Sequence, residues 1–254
     1  MNKRNFVELQ GKKVLVTGAT GGIGSAIARN FGKQGAIVGI HFYKNEERAE
    51  MLSREIKEEG GQPIILQADL TIEKEILDLV GLFYQKTGGI DIVVNNAGGI
   101  ADLVHFEKIT PAEWDGIISL NLKAPFFIMR ESFLRMKAQK KGRIINISSV
   151  AAKYGGSEWS VPYGVAKAGI ENLTVFFSRV GAQYNILVNC VRPGVIDTEF
   201  QRRIRTDEQL KNRISLIPLK RMGTPDDVAM MVLFLASDAG SFITGQIISV
   251  SGGE

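Results

Sequence analysis

The stretch Val14-Leu15-Val16-Thr17-Gly18-Ala19-Thr20-Gly21-Gly22-Ile23-Gly24 is an apolar, β-branched run that enters four glycines within seven residues. It reads as strand, sharp turn and helix, because the apolar run suits a strand buried on both faces and helical periodicity follows. Glycine lets the backbone turn sharply and approach a ligand closely. The helix behind it offers unpaired N–H groups and the positive end of its dipole, a combination that suits a pyrophosphate. Glycines also serve ordinary turns; the strand before and the helix after make these informative.

Outward from this turn, short β-branched runs alternate with longer amphipathic stretches, the pattern of a parallel sheet covered by helices on both faces. The expected strands are Lys13 to Thr17, Ile37 to Phe42, Pro63 to Ala68, Ile92 to Asn95, Arg143 to Ser148, Ile186 to Arg192 and Gln246 to Val250. Between them lie Glu46 to Glu58, Glu73 to Thr87, Pro111 to Met136, Tyr163 to Gln183 and Pro225 to Ser237, each long enough for a right-handed crossover. Thr110-Pro111-Ala112-Glu113 and Thr224-Pro225-Asp226-Asp227 carry helix-start signals. No repeat or linker interrupts the series. The expectation is one domain over residues 1–254, with Pro193 to Gly223 as a long irregular insertion.

With 44% hydrophobic and 23% charged residues in 254, the chain has the makings of a large core and is too polar for a membrane protein. Met1 to Phe6 carries charge with no apolar region behind it, and no stretch reaches the roughly eighteen apolar residues of a span, so a cytoplasmic protein is expected. The single cysteine, Cys190, lies in an apolar run and reads as a buried, inert thiol. The two histidines, His41 and His105, lack partners at ligand spacing, which leaves a histidine metal site without support. A net charge of +4 comes mostly from dispersed residues, apart from Lys137 to Arg143 and Arg202 to Arg205, without interleaved aromatics. Nucleic acid is not the expected partner.

The spacing Gly18, Gly22, Gly24 resembles the Thr-Gly-x-x-x-Gly-x-Gly pattern of the short-chain dehydrogenase/reductase family. Asp69-Leu70, Asn95-Asn96-Ala97-Gly98 and Pro193-Gly194 match the same family in the same order, and the resemblance runs from Gly11 to Gly253. It implies a Rossmann-type, doubly wound sheet of seven mainly parallel strands and a nicotinamide dinucleotide at the strands' carboxyl ends. The glycine turn, with Thr20 and Ile23, would hold the pyrophosphate. Asp69 and Leu70 would meet adenine, Asn95, Ala97 and Gly98 would flank the adjoining ribose, and Pro193, Gly194, Ile196 and Thr198 would hold the nicotinamide amide. Asp69 reads equally as a turn or capping acid, and Asn95 and Gly98 as turn residues. The second strand ends in Phe42-Tyr43-Lys44, with no acid where a relative selecting NAD would place one. NADP(H) is the preferred cofactor on this reading and NAD(H) the alternative, because Gly21 stands where many NADP-using relatives are basic.

Tyr163-Gly164-Val165-Ala166-Lys167 puts a phenol and an ammonium on one helical face, and a nearby cation lowers a phenol from its usual pKa of about 10. By resemblance, Ser149 would hydrogen-bond the substrate oxygen, Tyr163 would give it a proton and Lys167 would bind the nicotinamide ribose. Asn121 would complete a relay to the lysine. Ser148 is a substitute for Ser149. The interval from Ser149 to Tyr163 is one residue longer than in the relatives it most resembles, so the loop with Tyr154, Gly155, Gly156, Glu158 and Trp159 should be shaped differently.

Within the family the chain most resembles 3-oxoacyl-acyl-carrier-protein reductases, with sugar and polyol dehydrogenases as the alternative and a silent dinucleotide-binding regulator as a reading of another class. A carrier partner calls for basic residues near the entrance, which Lys140 and Lys141 would supply, whereas Tyr184-Asn185 occupies a place where such reductases are often basic. Arg202, Arg203 and Arg205 fall in the insertion that covers substrates in relatives, about residues 195–222, and either attract an anion or stay solvated. Relatives are commonly tetramers. Ala124 to Met129 and Phe176-Phe177 would serve such faces or simply the core.

Overall fold

In the computed structural model, which describes residues 8–254, the seven apolar runs pair side by side, every pair parallel. They are β1 (Lys13–Val16), β2 (Ile37–Phe42), β3 (Gln62–Gln67), β4 (Ile92–Asn95), β5 (Gly142–Ile147), β6 (Ile186–Pro193) and β7 (Ile247–Val250). The order across the sheet is β3-β2-β1-β4-β5-β6-β7, so the direction in which successive strands are added reverses between β1 and β4. Pro63, which cannot donate to a ladder, sits in the edge strand β3, where one side needs no partner.

The connections are α1 (Gly22–Lys33), α2 (Glu46–Glu58), α3 (Glu73–Thr87), α4 (Pro111–Ile118), α5 (Ala124–Gln139), α6 (Val150–Tyr154), α7 (Val161–Gly181), α8 (Glu199–Ile204), α9 (Asp207–Leu216) and α10 (Pro225–Ala236). Two cores result, one on each face. Phe31, Ile56 and Val232 from α1, α2 and α10 pack on one side with Val14, Val16 and Ile40. Phe83, Ile128 and Phe177 from α3, α5 and α7 pack on the other with Leu15, Val93 and Ile144. Alternate residues of β1 thus face opposite cores, which is why its sequence is apolar without alternation.

Two expectations need correction. The stretch Pro111 to Met136 is not one regular helix: a π-helical turn, Ser119–Lys123, separates α4 from α5. Pro193 to Gly223 is not irregular either, since it holds α8 and α9. The signal for α9 is a capping box: the Thr206 side chain accepts from the Gln209 amide while the Gln209 side chain accepts from the Thr206 amide. Among the described residues no helix is long and apolar enough to cross a membrane.

Candidate active site

In a parallel sheet every strand's carboxyl end faces the same edge, and where the order reverses the flanking connections diverge and leave a crevice. Here a cleft of about 1340 Å³ opens at that edge, lined by the ends of β1 to β6 and by α8 and α9. Its floor is the turn of Gly18 to Gly24. Gly18 has φ +61°, and a Cβ on Gly24 would stand 2.2 Å from the Gly18 carbonyl oxygen, so the turn closes tightly onto the first helical turn. The N-cap of α1, Gly21, supplies no side-chain cap, and the first turn contains no acid. The leading N–H groups of α1 therefore face the cleft without a built-in anion.

Three side chains that the sequence reading left unassigned hold this turn. The Thr17 hydroxyl donates to the Val94 carbonyl and accepts from the amides of Asn96 and Ala97, both at 3.0 Å. Asn96 Nδ2 donates back to the carbonyls of Thr17 and Gly18. The Gly18 amide donates to His41 Nδ1 at 2.9 Å, and His41 Nε2 donates to the Ala68 carbonyl at 3.1 Å. This bonding requires a neutral ring. Burial pushes the imidazole down to about 4, against the raising effect of the Ala68 bond. A lone histidine in a strand buried on both faces was the available signal.

At one end of the cleft stand Tyr43, Lys44, Asp69 and Leu70. The Lys44 ammonium lies 4.7 Å from the Tyr43 ring centroid. Burial alone would raise the Asp69 carboxyl. Hydrogen bonds from the Thr71 hydroxyl and amide and from Tyr43, with the Lys44 charge, outweigh it and hold the group below its usual value. Ala97, Gly98, Pro193, Gly194, Ile196 and Thr198 also line the wall, and the Thr198 methyl packs against Gly22. Asn95 does not reach the cleft: it is 3% exposed and donates to Asn146 Oδ1 beneath the wall. In a parallel strand consecutive side chains point to opposite faces, and Asn96 takes the cleft side.

Farther along, Ser149, Tyr163 and Lys167 meet. Ser149 caps α6, its side chain accepting from the Ala151 amide, and it hydrogen-bonds the Tyr163 hydroxyl. Ser148 also lines the cleft, but its hydroxyl is engaged by Glu171, to which it donates at 2.7 Å. Lys167 Nζ donates to the Ile147 carbonyl at 2.9 Å and lies 5.5 Å from the Tyr163 ring centroid. The expected lowering of the phenol by Lys167 is not found. Burial pushes Tyr163 up to about 12 against the Ser149 bond, and pushes Lys167 down to about 8.

Asn121 stands behind this group rather than in the cleft wall. Its Oδ1 accepts from the Gly99 amide and its Nδ2 donates to the carbonyls of Gly99 and Ile117, each within 2.9 Å. The π-helical turn points Asn121 at this loop, as such turns often do at sites. A Cβ on Gly98 would meet both Asn121 Oδ1, at 2.6 Å, and Lys167 Nζ, at 3.2 Å. Lys140 and Lys141 are not at the entrance. They immediately precede β5 and so lie at the sheet's amino edge, opposite the cleft, where Lys141 pairs with Asp91 at 3.5 Å.

A family model described as enoyl-(acyl carrier protein) reductase matches residues 18–254. The chain belongs to the short-chain dehydrogenase/reductase family. Among curated relatives it is 39% identical over 246 residues to nodulation protein G of Rhizobium sp. (strain N33), covering 97% of this chain and 98% of the relative. It is 38% identical over 249 residues to the 3-oxoacyl-[acyl-carrier-protein] reductase of Aquifex aeolicus, again covering 97% and 98%. Of solved structures, a 7α-hydroxysteroid dehydrogenase complexed with NADH and 7-oxo glycochenodeoxycholic acid matches with TM-score 0.93 at 33% identity, covering 100% of this chain and 97% of that one. This short-chain dehydrogenase/reductase is accordingly an NAD(P)-dependent oxidoreductase.

Proposed function

We propose that the protein uses NADPH to reduce the 3-oxo group of an acyl thioester to the alcohol, acting as a cytoplasmic tetramer. The observation that carries the reading is the pair of hydroxyls, Ser149 and Tyr163, facing a cleft continuous with the uncapped start of α1. The fit to a dinucleotide is good: the tight glycine floor has no room for a Cβ at Gly18 or Gly24, and the free N–H groups of α1 suit its phosphates. Gly18, Thr20, Gly22, Ile23 and Gly24 would hold these, with Tyr43, Lys44, Asp69 and Leu70 at the adenosine end and Pro193 to Thr198 at the other. When bound, the cofactor supplies a hydride to the carbonyl carbon.

The chain's own groups handle the oxygen. Held up to about 12 by burial, Tyr163 keeps its proton at neutral pH and is a donor to the developing alkoxide, which Ser149 helps to stabilise. Lys167, fixed by Ile147, stands behind the phenol. Asn121 fixes the Gly99 backbone beside it and so acts as a positioning residue. Residues about 195–222 cover the substrate, and Leu103, Tyr154, Trp159, Phe200 and Leu216 give that end of the cleft an apolar lining suited to an acyl chain. The 3-oxoacyl thioester is supported by the reductase among the curated relatives. Location of Lys140 and Lys141 away from the cleft favours a second reading, a dehydrogenase of sugars or polyols that needs no carrier.

The test follows absorbance at 340 nm with acetoacetyl thioester, free and on acyl carrier protein, against a panel of sugars and alcohols. Consumption of NADPH that requires the thioester supports the first reading; turnover of the panel alone replaces it with the second. NADPH should be favoured over NADH, and Lys44→Asp should reduce that preference at least about ten-fold by setting a carboxylate against a 2′-phosphate. An unchanged cofactor ratio would remove Lys44 from the account.

A further inference from the structure

At the substrate end of the cleft, beyond Ser149 and Tyr163, three guanidinium groups of the α8–α9 segment line one wall: Arg203, Arg205 and Arg213. Their partners differ. Arg203 donates to the Ile100 carbonyl at 2.7 Å and fastens the segment to the loop after β4. Arg213 pairs with the carboxylate of Glu254, a side chain only 4% exposed. Arg205 is bonded to the neutral amide oxygen of Gln201. The second Glu254 oxygen is buried without a partner, so that carboxylate is not shared with Arg205. Among the described residues Arg205 forms no salt bridge.

Two cations therefore adjoin one carboxylate in a half-buried wall. Burial first and the like charge of Arg213 second make the charged state of Arg205 harder to hold, with Glu254 opposing them. A buried cation short of an acceptor is costly, and a guanidinium offers a planar fork of donors matched to a carboxylate or a phosphate. Gln209 and Asn212 line the same wall. The cofactor's phosphates are served elsewhere, at the start of α1 and near Lys44, which leaves the Arg205 wall to the substrate.

We propose that Arg205, with Arg213 beside it, forms an anion subsite for a carboxylate or phosphate carried at the end of the substrate remote from the reacting carbonyl. This rests on the reading of the cleft as a carbonyl-reducing site. It makes the α8–α9 segment a selector of charged over neutral substrates, with Glu254 balancing Arg213 so that Arg205 is the group left for the ligand.

The test uses N-acetylcysteamine thioesters of 3-oxo acids whose chains end in a methyl, a carboxylate or a phosphate, with NADPH, on the whole protein. The expected result is a kcat/KM at least about ten-fold higher for an anionic ending than for the methyl, with the better of the two endings identifying the anion. Arg205→Gln should abolish that ratio and Arg205→Lys should keep part of it. Arg213→Gln is less informative because it strands the buried Glu254. Equal kcat/KM for methyl and anionic endings, or a preference that survives Arg205→Gln, would overturn the subsite while leaving the reductase intact. If no thioester is turned over, the thioester reading fails by itself. Calorimetric titration of the enzyme–NADPH complex with malonate and with inorganic phosphate then decides: binding lost in Arg205→Gln sustains the subsite, and no binding of either removes it.

Discussion

His41 joins the glycine turn after β1 to the end of β3 through one neutral ring, accepting from Gly18 and donating to Ala68. Its value of about 4 in the folded protein, against 6.5 for a free imidazole, fixes a stability trend. Between those values the unfolded chain binds the proton and the folded chain does not. The contribution is thus complete above pH 6.5 and is lost as the pH falls toward 4, at up to ~1.4 kcal/mol per unit. Urea unfolding at pH 7.5 and pH 5 should show this loss, and His41→Gln should flatten it; an equal slope in the variant would remove His41 as its source. The sequence reveals the residues whose roles depend on near neighbours. Gly18 to Gly24 and Tyr163 with Lys167 form local patterns, and both face the cleft. The role of His41 depends on contacts 23 and 27 residues away, which no local spacing displays. For a related reason the helical spacing of Tyr163 and Lys167 shows their proximity but not the burial that dominates both.

Elements with strong periodicity were legible, and all seven expected strands are present in order. The π-helical turn was not, because Ser119 to Lys123 contains no glycine or proline that would break a helical reading. It turns Asn121 toward the backbone of Gly99, which receives both a donor and an acceptor from one amide. Replacement by an isosteric apolar group leaves the Gly99 amide and carbonyl without these partners, so Asn121→Leu should destabilise the fold by about 2 kcal/mol or more. Hydrogen exchange should quicken at Gly99 and in the neighbouring loop. Unchanged stability together with unchanged protection there would show that Asn121 does not hold this loop. The helix α9 was legible in principle, since Thr206-Asp207-Glu208-Gln209 is a capping box, but its weak apolar face obscured it within a segment that reads as loop.

Across the whole molecule, chain order decides where chemistry can occur. Reversal between β1 and β4 opens the crevice, and every strand contributes its carboxyl end to the same edge. Lys140 and Lys141 illustrate the converse: residues directly before a parallel strand lie at the opposite edge, a constraint the sequence already contained once β5 was assigned. Ser149, Tyr163 and Lys167 come from two segments that this arrangement brings together, the end of β5 and the start of α7. The proposed delivery of the proton in carbonyl reduction by the Tyr163 hydroxyl is the step on which the function depends. Its most direct test compares wild-type and Tyr163→Phe for NADPH oxidation at 340 nm with acetoacetyl thioester, while fluorescence titration checks that the variant binds NADPH. Loss of turnover by about 10²- to 10⁴-fold in a variant that binds NADPH is the predicted result. Turnover within a few-fold of wild-type would contradict it.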